Sequence, residues 1–204
     1  MTYFTADTHF FHAELLGNND FAPRPFKDVA TMNATIIANW NQRVQADDQV
    51  YLLGDVAMVP NKPSAFAEVA AVLEQLNGQL IIIKGNHDNR AFLKYLAKHD
   101  AGLSAGKAHY QFADVGELIK INHHQYFLTH YPLLLGKVQQ TFNLHGHIHH
   151  YMLPIAENIN VGIDAPEREL LPERVPFGTP LRQMRLKSFL NANKPRWQTP
   201  ATTS

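Results

Sequence analysis

Five short stretches of this chain place acids, amides and histidines where an apolar run gives out. "FTADTH" holds Asp7 and His9, "LLGD" holds Asp55, "IIIKGNHD" holds Asn86, His87 and Asp88, "FLTH" holds His130, and "LHGHIH" holds His145, His147 and His149. A turn after a buried strand is content with Gly and Asn alone, so the added His87 and Asp88 ask for a chemical reason. The chain has 12 histidines and no cysteine. Any metal would therefore be held by nitrogen and oxygen, never by thiolate. Asp7, His9, Asp55, Asn86, His130, His147 and His149 supply seven such donors. That is too many for one ordinary ion and suits two ions sharing a carboxylate, the arrangement that clamps both sides of an in-line displacement. Imidazole suits zinc, iron and nickel, carboxylate and amide oxygens extend the choice to manganese, and four imidazoles disfavour an all-oxygen magnesium or calcium site.

Neighbouring polar residues carry weaker signals. His12 stands close to His9, either beside a bound phosphate or as a histidine behind the ligands. Arg24 in "PRPF" and Arg90 after "GNHDN" are candidate phosphate clamps, because a guanidinium matches phosphate geometry, or else ordinary charges at a helix end or surface. His145 reads as support for the ligands, His150 as peripheral, and His99, His109, His123 and His124 as surface or turn residues.

The elements that must position these donors follow from periodicity. Short apolar runs at "TYFTA", "QVYLLG" and "QLIIIKG" read as buried strands, and Val29, Met32, Ile36, Trp40 and Val44 recur at helical spacing over 29–43. Ser64 is a candidate cap for a helix running to Leu76, "NG" at 77–78 a stop, and "RAFLKYLAKH" a third helix. Strand and helix alternate up to residue 100, which argues for parallel strands in α/β layers. Ligands to such sheets bind beyond the carboxyl ends of the strands. Asp7 and His9, like His147 and His149, are two apart, and in extended backbone such pairs face one side. After residue 100 come "AHYQFA", "GELIKIN", "QYFLTH", "TFNLHGH" and "NINVG", strand-like pieces of a second, partly antiparallel sheet, with "NHH" at 122–124 as a hairpin turn.

With 204 residues, the chain is expected to form one domain over 1–164 and an extension over 165–204. The extension holds six of the 12 prolines, has room for one short helix, and from Pro180 onward carries five Lys or Arg and no acid. The opening "MTYFTADTHFFH" is no signal peptide, no run is long enough for a membrane span, and formal net charge is zero. A cytoplasmic protein without membrane contact is expected.

The ordered set "DTH … GD … GNHD … H … GHIH" resembles the calcineurin-like metallophosphoesterases, in particular small bacterial and phage members with a "DTHFFH"-type start and an "NVGID"-type strand at Asn160–Asp164. The resemblance implies a four-layer α/β/β/α sandwich of two mixed sheets flanked by helices. It implies one ion on Asp7, His9, Asp55 and His149, and a second on Asp55, Asn86, His130 and His147, with Asp55 bridging. Manganese is the first expectation, with iron, nickel or zinc as alternatives. His87 would stay off the metals as proton donor, with Asp88 orienting and charging its imidazole. Two divalent ions against Asp7, Asp55 and a bridging hydroxide leave about one net positive charge to attract phosphate. The implied reaction is hydrolysis of phosphate esters by that hydroxide, diesters before monoesters, with nucleotides and nucleic acid among the candidate substrates. The alternative is a scaffold of the same fold that has kept the site without the activity. Oligomeric state is left open.

Overall fold

The computed structural model describes residues 1–103, 106–136 and 138–183. Its first sheet is built from β1 (Thr2–Thr5), β2 (Gln49–Leu52), β3 (Gln79–Ile83) and β4 (Tyr110–Ala113), ordered β4-β3-β2-β1 and parallel, with an antiparallel fifth strand, Leu181–Arg182, on the outer side of β1. The second sheet runs β5 (Gly116–Ile121), β6 (His124–Thr129), β7 (Thr141–His145) and β8 (Asn158–Asn160), antiparallel between β5 and β6 and parallel thereafter. Asn122 and His123, with φ of 48° and 67°, make the two-residue turn of the β5–β6 hairpin where "NHH" was read as one. The chain is thus the α/β sandwich of two mixed sheets that was expected.

Among the described residues three α-helices cover one outer face. In α1 (Val29–Arg43) the Asp28 carboxylate accepts the Thr31 N–H at 2.7 Å, a cap worth about 1 kcal/mol. Met32, Ile36 and Trp40 lie one turn apart and are buried on the sheet. In α2 (Pro63–Leu73) the start differs from expectation: Lys62 stands at the cap position and Ser64 lies inside the helix. Pro63 opens it because the first turn needs no N–H there. In α3 (Arg90–Lys98) the Asn89 side chain accepts the Phe92 N–H at 2.8 Å.

Two cores result. Phe66, Val69, Leu73, Phe92 and Leu96 pack with the α1 residues against Val50, Leu52, Leu80 and Ile82. Phe4, Leu53, Ile83, Leu128, Leu144 and Ile159 fill the space between the sheets. Tyr3 belongs to the first core and Phe4 to the second, the two-sided burial that parallel strands require. His109, expected at the surface, is buried and stacked on Tyr110 at 4.5 Å.

Beyond Asp164 the chain forms a 3-10 helix, Pro166–Leu170, and returns to the first sheet as β9 (Leu181–Arg182), antiparallel to β1. Leu171 and Leu181 join the inter-sheet core. The basic residues Arg185, Lys187, Lys194 and Arg196 lie outside the described residues. Among those described, no helix is long and apolar enough to cross a membrane.

Candidate metal centre

Parallel pairing brings the carboxyl ends of β1, β2 and β3 to one edge, and does the same for β6 and β7 in the second sheet. The two edges are joined where Ala6 pairs with Gly162 and accepts the Ile163 N–H at 3.1 Å. Backbone bonds then carry the ordering past the strand ends: Asp7 N–H to Gly54 O at 3.0 Å, His9 N–H to Asp55 O at 2.9 Å, and Gly146 N–H to His130 O at 3.0 Å.

Five of the seven candidate donors do not sit in extended backbone. Asp7, His9, Asp55, His147 and His149 have φ of 58°, 45°, 54°, 72° and 48°. The expectation that strand alternation pairs Asp7 with His9 and His147 with His149 is therefore corrected. The pairs converge through left-handed turns, a conformation costing non-glycine residues on the order of 1 kcal/mol each and persisting where surrounding structure imposes it. Gly85 allows the closest approach, since a Cβ there would overlap Asp55 Oδ1, and at Gly146 a Cβ would lie 2.6 Å from Asp7 Oδ2.

The side chains form two groups. Asp7, His9 and His149 bring ligand atoms within 4.8 Å of one another, and Asp55, His130 and His147 do likewise. The Asn86 side-chain oxygen joins the second group, 2.8 Å from His130 Nε2 and 2.9 Å from His147 Nδ1. Asp55 Oδ2 lies between the groups, 3.5 Å from His9 Nε2 and 3.4 Å from His130 Nε2.

The electrostatics favour a cation here. Burial pushes the Asp7 carboxyl up to about 7, and burial holds His9 well below the usual histidine range. His9 Nε2 is buried with no hydrogen-bond partner. Burial works to raise Asp55, but the hydrogen bond to His130 and the charges of His130 and His9 hold it well below the usual carboxylate range. Buried carboxylates and a partnerless imidazole nitrogen around one small space are the donor set that divalent ions satisfy.

A second layer holds the first in place. Asp164 Oδ2 accepts from His149 Nδ1 at 3.0 Å and from Arg24 Nη2 at 2.9 Å, so His149 presents Nε2 to Asp7 and His9. Arg24 also donates to the Asp7 carbonyl at 2.7 Å and the Thr8 carbonyl at 2.8 Å. Arg24 is thus no open phosphate clamp: its guanidinium is fully buried and engaged within the protein. Asp88 is also corrected. Its Oδ2 accepts Asp55 N–H at 2.8 Å and Gly85 N–H at 2.9 Å, and its Oδ1 accepts Val56 N–H at 3.0 Å, so it ties the loops after β2 and β3 together rather than orienting His87.

His87 itself stands off the two groups, about a third exposed, with Nε2 4.0 Å from Asp55 Oδ2 and its ring 5.2 Å from that of His9. His12 is buried behind His9, Nδ1 to Nδ1 3.1 Å. His145 is fully buried, and burial pushes its imidazole down to about 4. Arg90 opens α3 and pairs with Asp114 at 3.1 Å on the surface. Asp164 was not among the expected site residues, although like Asp7 and Asp55 it closes a run that leaves a strand.

Comparison with known proteins agrees with this picture. The chain is 31% identical over 174 residues to the uncharacterised protein MJ1445 of Methanocaldococcus jannaschii, covering 79% of this chain and 81% of the relative. It is 26% identical over 189 residues to the Gene 66 protein of Mycobacterium phage L5, covering 80% and 86%. The crystal structure of AQ665 from Aquifex aeolicus, a protein of unknown function, shares the fold with a TM-score of 0.63 at 20% identity, covering 92% of this chain and 97% of that one. The family model for calcineurin-like phosphoesterase matches residues 2–186. From its strand-end motifs to the last described strand, this chain belongs to the calcineurin-like phosphoesterase family.

Proposed function

We propose that the chain is a phosphodiesterase working with two divalent ions, one held by Asp7, His9, Asp55 and His149 and the other by Asp55, Asn86, His130 and His147. The observation that carries this reading is Asp55 Oδ2, set 3.5 Å from His9 Nε2 and 3.4 Å from His130 Nε2, where one oxygen serves both groups. When bound, such an ion pair supplies Lewis-acid polarisation of the phosphoryl group and a water acidic enough to react near neutral pH. The rest falls to the chain. Asp88 fixes the loops that carry Asp55 and Asn86. His12 braces His9 from behind. His87, with its Nε2 close to but outside the ligand groups, is placed to donate a hydrogen bond to a phosphoryl oxygen and then to pass that proton to the leaving alkoxide. Diesters are favoured over monoesters because the described loops include no inserted lid domain to enclose a small monoester.

The test is hydrolysis by metal-stripped protein resupplied with manganese, using bis(p-nitrophenyl) phosphate beside p-nitrophenyl phosphate. Diester turnover should exceed monoester turnover and vanish in Asp55→Asn. His87→Ala should keep two manganese ions and lose roughly 10²- to 10⁴-fold in kcat. An unchanged kcat in His87→Ala would remove the donor role. Failure with manganese, iron, nickel and zinc alike would leave a scaffold that keeps the fold without the reaction.

A further inference from the structure

The described residues expose eleven large hydrophobic side chains, and five of them either stand within three residues of a candidate ligand or touch one. Tyr131 follows His130, Tyr151 and Met152 follow His149 closely, Met58 lies three residues past Asp55, and Phe21 touches His149. Exposed apolar surface gathered at one place marks a binding site more often than chance exposure does. Here Phe21 and Tyr131 stand against histidines of a centre of buried carboxylates and imidazoles.

Two of the five are aromatic rings standing on opposite ligand groups. Phe21 meets the His149 ring edge-on, centroids 4.5 Å apart, and His149 belongs to the group of Asp7 and His9. Tyr131 meets the His147 ring in the same manner at 4.6 Å, and His147 belongs to the group of Asp55 and His130. Phe21 is 47% exposed and Tyr131 50%, so each ring keeps about half its surface for something else. Neither is loosely held. The Asn19 side-chain oxygen accepts the Phe21 and Ala22 N–H groups at 3.1 and 2.6 Å, and the Tyr151 hydroxyl donates to the Asp20 carbonyl at 3.3 Å. The Tyr131 carbonyl accepts from Thr129 Oγ1 at 2.6 Å, and Pro132 restricts the backbone before it. Rings presented on fixed backbone bind planar groups with little ordering loss.

Resting on the phosphodiesterase reading above, we infer that Phe21 and Tyr131 are stacking platforms, one on each side of the metal centre, for the two organic arms of a diester whose substituents are planar and aromatic. A phosphorus held between the two ligand groups sends one arm toward each ring. Nucleosides are the biological class with that chemistry, and a dinucleoside phosphate fills both platforms. Base–aromatic stacking tolerates any base, so the platforms select for flat arms and not for sequence.

The experiment uses the full chain loaded with manganese and compares the thymidine dinucleotide with glycerophosphoethanolamine, a diester with alkyl arms. Phe21→Ala and Tyr131→Ala should each raise KM for the dinucleotide roughly 5- to 100-fold. Phe21→Tyr and Tyr131→Phe should restore it. The kinetics of the alkyl diester and the two bound manganese ions should not change. An unchanged dinucleotide KM overturns the inference. So does an equal change for both diesters, or a lost ion, since either result makes the rings mere braces for the histidines. Titration of the dinucleoside phosphorothioate by calorimetry separates this inference from the parent reading. Binding that the alanine variants lose upholds the platforms even if no diester is turned over, and absence of binding to the unaltered protein overturns them.

Discussion

Asp164 divides one carboxylate oxygen between His149 and Arg24, and burial makes both contacts matter. Burial works to raise its carboxyl, but the Arg24 guanidinium and the His149 hydrogen bond hold it well below the usual range. The consequence is local. Arg24 reaches the Asp7 and Thr8 carbonyls, so the ion pair braces the group of Asp7, His9 and His149 and leaves the other group to its own supports. Asp164→Asn should weaken the ion on that side by roughly 10- to 100-fold, the usual effect of losing an outer partner of a ligand histidine. The second ion should bind as before. Manganese titration of the metal-free variant checks this, and equal weakening of both ions would show that the support is shared.

At the scale of elements, two short segments decide how the strand ends meet. The loops after β2 and β3 are joined by Asp88, one carboxylate accepting three backbone N–H groups. An amide can accept at only one of its two ends, so Asp88→Asn should lose roughly 2–4 kcal/mol of stability, read from urea denaturation of the metal-free protein. The 3-10 helix Pro166–Leu170 supplies the other case. Glu167 is buried, Oε1 accepts the Asn160 N–H at 3.2 Å, and Oε2 has no partner. Burial pushes its carboxyl from the ordinary 4.5 up to about 7. The folded state therefore holds the proton more tightly than the unfolded chain. The stability this gives is complete below about pH 4.5, is lost as pH rises toward 7, and does not change further above it. The change is on the order of 3 kcal/mol. Glu167→Gln keeps the shape without the charge, so its melting temperature should match the unaltered protein near pH 4 and exceed it increasingly up to pH 7.

For the whole molecule, the chain past Asp164 completes the sandwich. β9 closes the first sheet beside β1, and Leu171 and Leu181 enter the inter-sheet core. Arg168 donates to the Gly162 carbonyl at 2.6 Å and the Thr179 carbonyl at 3.0 Å, and the Phe177 ring lies 5.5 Å from the Arg24 guanidinium. Two buried leucines alone contribute on the order of 5 kcal/mol, a large share of the 5–15 kcal/mol that holds an ordinary domain together. A chain ended after Asp164 should therefore lose its cooperative thermal transition, followed by circular dichroism. A transition within a few degrees of the full chain would make the returning segment dispensable.

By itself the sequence marked the candidate donors and the elements beneath them. Each candidate ligand stands at or just past the end of an apolar run, and the helical spacing over 29–43 matches α1, Val29–Arg43, because hydrophobic period is a local property written residue by residue. The hairpin at Asn122 and His123 was legible for the same reason. The tertiary structure alone decided the partners. Arg24 in "PRPF" reads as a phosphate clamp or a surface charge until two sheets close and bring Asp164, 140 residues away, to its guanidinium. Asp88 reads as a partner of its neighbour His87 until its carboxylate meets the backbone of Asp55, 33 residues earlier. The left-handed turns at the ligands, the two-residue strand β9, and the rings of Phe21 and Tyr131 over the centre leave no periodic trace. Contacts of this kind depend on which chain segments become neighbours, and that is settled only when long-range strand pairing and core burial outweigh the entropy of closing the loops between them.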